Sequence, residues 1–292
     1  MMAVRLGVKK TYKQYIGGKF VRSESGRSLQ QLGKDGEFIA NYCHGSRKDL
    51  RDAVKAARGA FSGWSKRTAF NRGQILYRIA EMLEARENEF CDVMCAEGSA
   101  TCEQNMIEIQ CAVDRCVYYC GWADKFDAVF GSVNPVAADY FNFTVPEPTG
   151  VVGIVADEGT ALIGLVSQIA ATVVSGNACV VLASDEYPLT AMEFGEVLAT
   201  SDVPGGVVNI LSGKKHELIP HLAKHMDVNA IDYRDGDGQT VAQLIDLGTE
   251  NVKRVRVSKR KARAGWLSDK AQGPEQIEKF VEMKTVWHPI GV

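Results

Sequence analysis

Cysteines are the first residues in this 292-residue sequence that could do chemistry, and the chain contains eight of them. Cys91 with Cys95, and Cys116 with Cys120, are four residues apart in segments predicted to be helical. That spacing can place two thiolates on one helical face, where they could bind a metal ion. No histidine lies near them and no Cys-x-x-Cys pair occurs, so buried structural thiols are the favoured interpretation and no metal ligand is assigned.

Histidines are the second candidates. His221 and His225 are also four apart, as two metal ligands on one helix can be. No third ligand is in view, so both are interpreted as solvent-exposed helix residues. No nucleophile elbow supports a serine–histidine–aspartate set, and Gly213-Lys214 lacks the upstream glycine of a phosphate-binding loop. These patterns therefore assign no catalytic residue.

One stretch of the sequence predicts the unit that would position a site. Val151–Val155 and Ala178–Leu182 are apolar runs typical of buried strands, and an apolar helix from about 160 to 175 connects them. A strand, a crossover helix and a parallel strand form the unit of dinucleotide-binding folds. Chemistry in such a unit lies at the carboxyl ends of the strands, here residues 156–160 and 183–187.

The remaining elements surround this unit. A hairpin at 15–21 turns at Gly17-Gly18, and three or four helices follow, the first of them after a capping box at Ser46 and Asp49. Strand–helix alternation then predicts an open sheet with strands near 151–155, 178–183, 207–211, 228–233 and 252–257.

Two further segments have the alternating pattern of strands with two different faces. They are a ribbon near 129–146 and a strand at 280–287. A lone strand late in the sequence must pair with something, either in this chain or in another.

Composition is ordinary for a globular protein, with 46% hydrophobic and 24% charged residues. A formal net charge of -2 gives no broad attraction to nucleic acid or to a membrane surface, and the basic residues at 253–263 are interpreted as a solvated stretch. The first residues lack the apolar core of a signal peptide, and no apolar run approaches the roughly 20 residues of a membrane helix. Reduced thiols and a cytoplasmic location are therefore expected.

Taken in order, several short segments resemble the aldehyde dehydrogenase superfamily across nearly the whole chain. They include YIGGKFV at the hairpin, EPTGVVGIV and SGNACVVLA at the two buried strands, and PGGVVNILSG at the third. No single segment is diagnostic, but the ordered set is specific. The resemblance implies that 280–286 and the ribbon near 129–146 are the family's oligomerisation elements. The chain resembles in particular the degenerate second half of the long, two-unit aldehyde dehydrogenases.

The resemblance also implies that catalytic features are missing. Active members carry an oxyanion-hole asparagine in the turn after the first strand, where this chain has Gly159 beside two acids. The second strand of active members ends in a lysine that binds the cofactor ribose, and Ala183 is its match. Asp185 or Glu186 could still contact a ribose hydroxyl, and Glu186 is the candidate cofactor-binding residue. A capping or surface acid is the other interpretation.

The later motifs depart from the family as well. The glycine–serine loop against the cofactor's pyrophosphate is replaced by YRDGDG, in which Asp235 and Asp237 would repel phosphate. Ser258 stands where the general-base glutamate is expected, and no cysteine follows Cys179 to serve as the nucleophile. About 25 residues separate the basic loop from the last strand, too few for a catalytic domain, which is therefore expected to be absent.

The sequence thus predicts an α/β fold: a Rossmann-like, doubly wound parallel sheet with an N-terminal helical layer and a small β oligomerisation element. Residues 1–257 would form the aldehyde-dehydrogenase-like cofactor-binding domain, from which the ribbon near 129–146 projects. Residues 258–292 would form the basic loop and the C-terminal oligomerisation strand.

The predicted function is that of a catalytically inactive structural or regulatory partner subunit, in a homo-oligomer or in a hetero-oligomer with an active aldehyde dehydrogenase. No cofactor is expected, although NAD(P) binding through Glu186 stays open. The alternative is a subunit that takes part in NAD(P)-dependent oxidation of an aldehyde to a carboxylic acid by supplying residues to a shared site. A third interpretation is a module that binds a different small molecule in the vacated cleft.

Overall fold

The structure is a computed structural model that describes residues 8–234, 237–259 and 261–291. Its strands are numbered β1 to β13 in chain order: Thr11–Tyr12, Gln14–Ile16, Lys19–Val21, Ser28–Leu32, Phe38–Cys43, Ser132–Asn134, Tyr140–Pro148, Val151–Val155, Ala178–Leu182, Val208–Leu211, Ala230–Tyr233, Arg254–Val257 and Val281–Pro289. Its helices are numbered α1 to α11: Arg47–Ser65, Ala69–Glu84, Glu87–Ala96, Cys102–Cys120, Phe126–Phe130, Ile163–Val174, Pro188–Ala199, Lys215–Lys224, Gly238–Gly248, Arg263–Leu267 and Pro274–Glu278.

The central sheet has the strand order β12-β11-β8-β9-β10-β2-β3. The five strands from β12 to β10 are parallel, and the β2–β3 hairpin adds to β10 in antiparallel orientation. From β8 the chain proceeds outward to β9 and β10 and then crosses back to β11, on the other side of β8. The strand order therefore reverses between β8 and β11, the point at which open α/β sheets bind ligands.

Helices cover both faces of this sheet. Successive side chains of a strand point to opposite faces, so an apolar strand packs against helices on both sides. Val152 and Ile154 of β8 belong to one apolar cluster with residues of α2, α4, α6 and α7. Val151 and Val155 of the same strand belong to a second cluster with residues of α1, α8 and α9. The predicted doubly wound architecture is confirmed.

The helical layer follows from local sequence signals. Ser46 caps α1 in a capping box, because its hydroxyl accepts from Asp49 N at 3.2 Å and Asp49 Oδ2 accepts from Ser46 N at 2.8 Å. The apolar face of α1 is buried against the sheet through Leu50, Val54 and Ala57, as its spacing predicts. Among the described residues, no helix combines the length and the apolar character needed to cross a lipid bilayer.

A separate sheet has the order β13-β7-β6. β13 pairs antiparallel with β7 along nine residues, from Val281 opposite Pro148 to Pro289 opposite Tyr140. The last predicted strand therefore pairs with the predicted ribbon of its own chain, one of the two options that the sequence left open.

The structure also contains elements that the sequence did not predict. β1 and β4 flank β5 in a third sheet, and none of the residues of β4 is fully buried. Without a buried face, β4 lacks the apolar alternation by which strands are recognised. α6 begins at Ile163, a few residues later than expected, because 156–162 form the turn described next.

Candidate functional site

Glu158 lies at the centre of the loops that follow β8 and β9. Its carboxylate forms an ion pair with Lys215 Nζ and accepts hydrogen bonds from Ser184 Oγ and from the backbone N of Asp185, the latter at 3.0 Å. The Glu158 and Lys215 side chains are only 8% and 7% exposed. Burial alone would raise the pKa of Glu158, but the Lys215 ammonium and these hydrogen bonds outweigh burial and lower it below the ordinary 4.5. Glu158 is therefore ionised at neutral pH and bound by groups of its own chain.

Lys215 is the first residue of α8 and brings the positive charge to this centre. Its Nζ also donates to the carbonyl oxygen of Ala156 at 2.7 Å, and its backbone N donates to Asp185 Oδ1 at 3.1 Å. One lysine thus connects the carboxyl ends of β8 and β9 with the helix that follows β10. Lys215 is not among the residues predicted for the site. The signal was Glu158 itself, because a carboxylate in an otherwise apolar stretch needs a cation near it.

The turn after β8 has no room for a side chain at residue 159. A Cβ atom on Gly159 would lie 1.9 Å from the carbonyl oxygen of Lys261. The Asp157 carboxylate links the same two residues. It accepts one hydrogen bond from the backbone N of Gly159 and another, at 3.4 Å, from the backbone N of Lys261. Burial raises the pKa of Asp157. The position that matches the oxyanion-hole asparagine is therefore covered by the segment that follows β12.

Carboxylates of the chain itself occupy the N-termini of the four helices that connect the parallel strands. Free N–H groups at such N-termini are where folds of this kind bind phosphate, so a phosphate would meet a carboxyl group of the chain itself at each. The hydrogen bonds run to Glu108 from Leu162 N and Ile163 N at 2.7 and 3.1 Å (α6), to Glu97 from Leu189 N and Thr190 N at 2.8 and 3.0 Å (α7), to Asp185 from Lys215 N at 3.1 Å (α8), and to Asp237 from Gln239 N and Thr240 N at 3.4 and 2.9 Å (α9).

Two of these carboxylates are deeply buried. Arg263 Nη1 lies 2.9 Å from Glu108 Oε2 and supplies its counter-charge. Burial outweighs the hydrogen bonds that Glu97 accepts and raises the pKa of Glu97 to about 7. Asp237, predicted to repel phosphate, is an exposed N-cap. Asp235, for which the same role was predicted, lies outside the described residues, as does Gly236.

Trp266 covers the carboxyl end of β11, next to the point where the strand order reverses. Its ring centroid lies 5.0 Å from Arg234 Cζ and 4.9 Å from Lys261 Nζ, and the side chain is buried. Arg234 Nε pairs with Asp232 Oδ2 at 3.0 Å. The residue after β11 is thus held between a carboxylate and an aromatic ring, a favourable place for a guanidinium.

Glu186, the predicted cofactor contact, lies exposed in the loop after β9. Its backbone N donates to Ser184 Oγ at 3.0 Å, and its carbonyl oxygen accepts from Gln31 Nε2 at 3.0 Å. Ala183 is buried at the end of β9, and the backbone N of Ser258 donates to the carbonyl oxygen of Tyr233 at 3.0 Å. The loop thus lies at the predicted edge, and contact of Glu186 with a ribose stays a prediction.

His221 is an exposed residue of α8, as predicted, whereas His225 and three of the paired cysteines differ from expectation. α8 ends at Lys224, so His225 lies beyond the helix, half-buried, and its Nδ1 accepts from Asp227 N at 3.2 Å. The prediction of an exposed helix residue is therefore wrong for His225. Among the four paired cysteines only Cys116 is buried, while Cys91, Cys95 and Cys120 are half-buried. The prediction of buried thiols is wrong for those three.

Comparison with known proteins gives consistent matches. The model of the "Aldehyde dehydrogenase family" matches residues 20–258. Aldehyde dehydrogenase family 2 member B4, mitochondrial, of Arabidopsis thaliana is 32% identical over 245 residues, which are 82% of this chain and 45% of that protein. Cytosolic 10-formyltetrahydrofolate dehydrogenase of Mus musculus is 29% identical over 256 residues, which are 86% of this chain and 28% of that protein.

Solved structures give the same result. The NAD+ complex of an aldehyde dehydrogenase from Bacillus cereus has a TM-score of 0.79 at 25% identity and covers 85% of this chain and 50% of its own. The aldehyde dehydrogenase KauB from Pseudomonas aeruginosa has a TM-score of 0.81 at 25% identity and covers 86% and 51%. The chain therefore spans about half the length of these structures, and half or less of the curated relatives named above.

Proposed function

Because the chain belongs to the aldehyde dehydrogenase family, we propose that it serves there as a catalytically inactive partner subunit, assembled with copies of itself or with an active aldehyde dehydrogenase. The observation that carries this proposal is the buried ion pair of Glu158 and Lys215 at the carboxyl edge of the central sheet. The pair connects the loops after β8 and β9 with the start of α8, where a cofactor would otherwise bind. This edge of the sheet therefore stabilises the fold and does not serve as a binding site.

The residues at this edge do not fit a dinucleotide. A pyrophosphate is negatively charged and binds where helix N-termini offer free N–H groups. Here Glu108, Glu97, Asp185 and Asp237 accept hydrogen bonds from those groups at α6, α7, α8 and α9. We therefore infer that NAD(P) binds weakly or not at all, since it would have to displace carboxylates that the chain itself supplies.

Two positions support the absence of catalysis. Gly159 has no donor side chain, and the Lys261 carbonyl oxygen leaves no space for one. Ser258, at the position of the family's general base, has a hydroxyl group in place of a carboxylate. A hydroxyl is a poor proton acceptor at neutral pH, so this residue would not activate a water molecule.

The sheet β13-β7-β6 supports a role in assembly. β13 and β6 are its outer strands, and edge strands pair readily with other chains. Met283 and Trp287 expose large apolar side chains on one face of this sheet, and Val133 and Phe141 do so on the opposite face. We take the face with Met283 and Trp287 as the contact surface, because exposed apolar side chains mark protein–protein contacts, and members of the family are generally oligomeric.

Size-exclusion chromatography with light scattering tests the proposal, on the chain alone and mixed with an active aldehyde dehydrogenase from the same source. NAD+ and NADP+ are titrated into each peak by calorimetry. We expect an oligomer or a mixed complex, and no saturable cofactor binding by this chain. A strict monomer that ignores the active enzyme would contradict the assembly role, and micromolar NAD+ affinity would contradict the inactive site.

Variants of β13 sharpen the test. Met283→Glu with Trp287→Glu places two charges on the exposed face of the strand, and we expect it to dissociate the assembly. Lys284→Gln is the matched control on the opposite face, where Lys284 pairs with Glu147 of the same chain at 2.8 Å. Assembly that survives the double substitution would show that another surface makes the contact.

A second candidate function is participation in NAD(P)-dependent oxidation of an aldehyde, with this chain supplying residues to a shared site. The structural likeness to an NAD+ complex favours it. Under this alternative, adding the chain to the active enzyme raises the rate of aldehyde oxidation, and Glu186→Ala abolishes the increase. An unchanged rate in a mixed complex supports the inactive partner instead.

A further inference from the structure

Three cysteines gather where α3 meets α4. Cys91 and Cys95 lie one turn apart on α3, and Cys102 is the first residue of α4. Their Sγ atoms all lie within 4.8 Å of one another, and those of Cys91 and Cys95 are 3.9 Å apart. Across the described ranges, no other group of three cysteines, histidines or acids is arranged in this way. These three residues are called the thiol cluster below.

We propose that the thiol cluster binds one thiophilic metal ion with a filled d shell, Zn²⁺ in the first instance, through three thiolates. Tetrahedral Zn²⁺ has Zn–S distances of about 2.3 Å, which place neighbouring sulfur atoms about 3.8 Å apart. The Sγ distance of 3.9 Å between Cys91 and Cys95 matches this geometry. Cys102 is exposed, so water can complete the fourth position.

Polar groups around the cluster suit ligating thiolates. Thr101 caps α4, with Oγ1 accepting from Gln104 N at 3.3 Å, and places Cys102 at the positive end of the helix dipole. Asn105 is buried and donates from Nδ2 to Cys95 Sγ at 3.4 Å, while its Oδ1 accepts from Ser99 Oγ at 2.8 Å. Hydrogen bonds of this kind orient metal ligands and favour their charged form.

Metal binding by the thiol cluster is coupled to proton release. Binding of one Zn²⁺ forms three metal–sulfur bonds and displaces the protons of the thiol groups to solvent, so affinity falls as the pH is lowered.

A disulfide fits the Cys91–Cys95 pair less well than a metal ion does. Residues four apart on an α-helix have Cβ atoms about 5–6 Å apart. A disulfide requires about 3.5–4.5 Å between these atoms, so the bridge would unwind α3. A bridge from Cys102 to either residue of α3 is the oxidised state that an experiment must distinguish from metal binding.

The test is metal titration of the reduced, metal-stripped chain. Zn²⁺ is titrated in competition with a chromophoric chelator, and Co²⁺ is titrated by absorption spectroscopy. We expect one ion per chain and a thiolate-to-cobalt charge-transfer band. Cys102→Ser should weaken Zn²⁺ binding by about 100-fold or more, since it removes a ligand. Cys111→Ser, a half-buried cysteine on α4 outside the cluster, is the control and should leave affinity unchanged.

Several results would overturn the proposal. One is the lack of a charge-transfer band in a reduced chain that circular dichroism shows to be folded. Another is equal Zn²⁺ affinity in the Cys102→Ser and Cys111→Ser variants. A third is a peptide map that shows a disulfide between Cys102 and Cys91 or Cys95, in a chain whose reduced form binds no Zn²⁺. The cluster would then be a redox pair. Cys91→Ser gives an independent check, because it should reproduce the loss of affinity.

Discussion

The ion pair of Glu158 and Lys215 allows a sharp test of how the carboxyl edge is stabilised. Removing one partner of a buried pair leaves an uncompensated charge, and such substitutions cost about 3–5 kcal/mol of unfolding free energy. With both side chains more than nine-tenths buried, we expect Glu158→Leu and Lys215→Met each to lose about 3 kcal/mol.

The double variant should lose much less than the two single variants combined. With both charges removed, two costs remain: the buried carbonyl oxygen of Ala156 loses its hydrogen bond from Lys215, and the Ser184 hydroxyl and the Asp185 N–H lose Glu158 as their acceptor. An unpaired buried carbonyl costs about 1–3 kcal/mol. We therefore expect a loss of about 3 kcal/mol in the double variant and a coupling energy of about 3 kcal/mol between the two sites.

Equilibrium unfolding in urea measures these losses, at one fixed protein concentration because assembly also affects apparent stability. Lys214→Met is the control, since Lys214 is the exposed neighbour of Lys215 and its substitution should change stability by less than about 0.5 kcal/mol. Losses that add in the double variant to within about 0.5 kcal/mol would refute the pair as a coupled unit. Because the pKa of Glu158 is lowered, its contribution should be present above pH 4.5 and disappear as the pH falls further.

Three other predictions concern Glu97, Gly159 and Trp266. Because burial raises the pKa of Glu97 to about 7 from 4.5, the native chain holds a proton that the unfolded chain releases. Unfolding free energy should thus fall by roughly 3 kcal/mol as the pH rises between those values, and Glu97→Gln should lack this dependence in urea titrations. Gly159→Ala should lower the free energy of unfolding by about 2 kcal/mol through its clash with the Lys261 carbonyl, whereas Gly59→Ala, with open space at its Cβ, should not lower it; thermal melts compare the two. Trp266→Ala should lose about 3–5 kcal/mol in urea unfolding, and a loss below about 1 kcal/mol would contradict its buried role.

The parts of the fold that could be predicted are those encoded locally. β8 and β9 are continuous apolar runs, which indicate strands buried on both faces. The hairpin turn is predictable because a Gly17-Gly18 pair can adopt positive φ, and the two residues have φ of +62° and +78°. The start of α1 is predictable because Ser46 and Asp49 have capping-box spacing.

The candidate site was harder to predict because its contacts join distant segments. Glu158 is one of the two acids beside Gly159 in the turn after β8, but its partner Lys215 comes from a helix two strands later. Glu108 reaches the N-terminus of α6 from α4, 54 residues away in sequence from Leu162. Cys102 joins Cys91 and Cys95 only through the angle at which α3 meets α4. Spacing within one element carries no information about such contacts.

The pairing of β13 with β7 constrains the order in which the chain assembles. β7 is synthesised before β8 and β13 after β12, so all five parallel strands of the central sheet are made between the two. Contacts between segments so far apart close a large loop and form late in folding. Until β13 arrives, β7 has only the three-residue β6 as a strand partner among the described residues, and the rest of its aromatic sequence presents an unpaired strand to other nascent chains. The pairing of β13 with β7 therefore forms last, and the folding chain is most prone to aggregate before it forms.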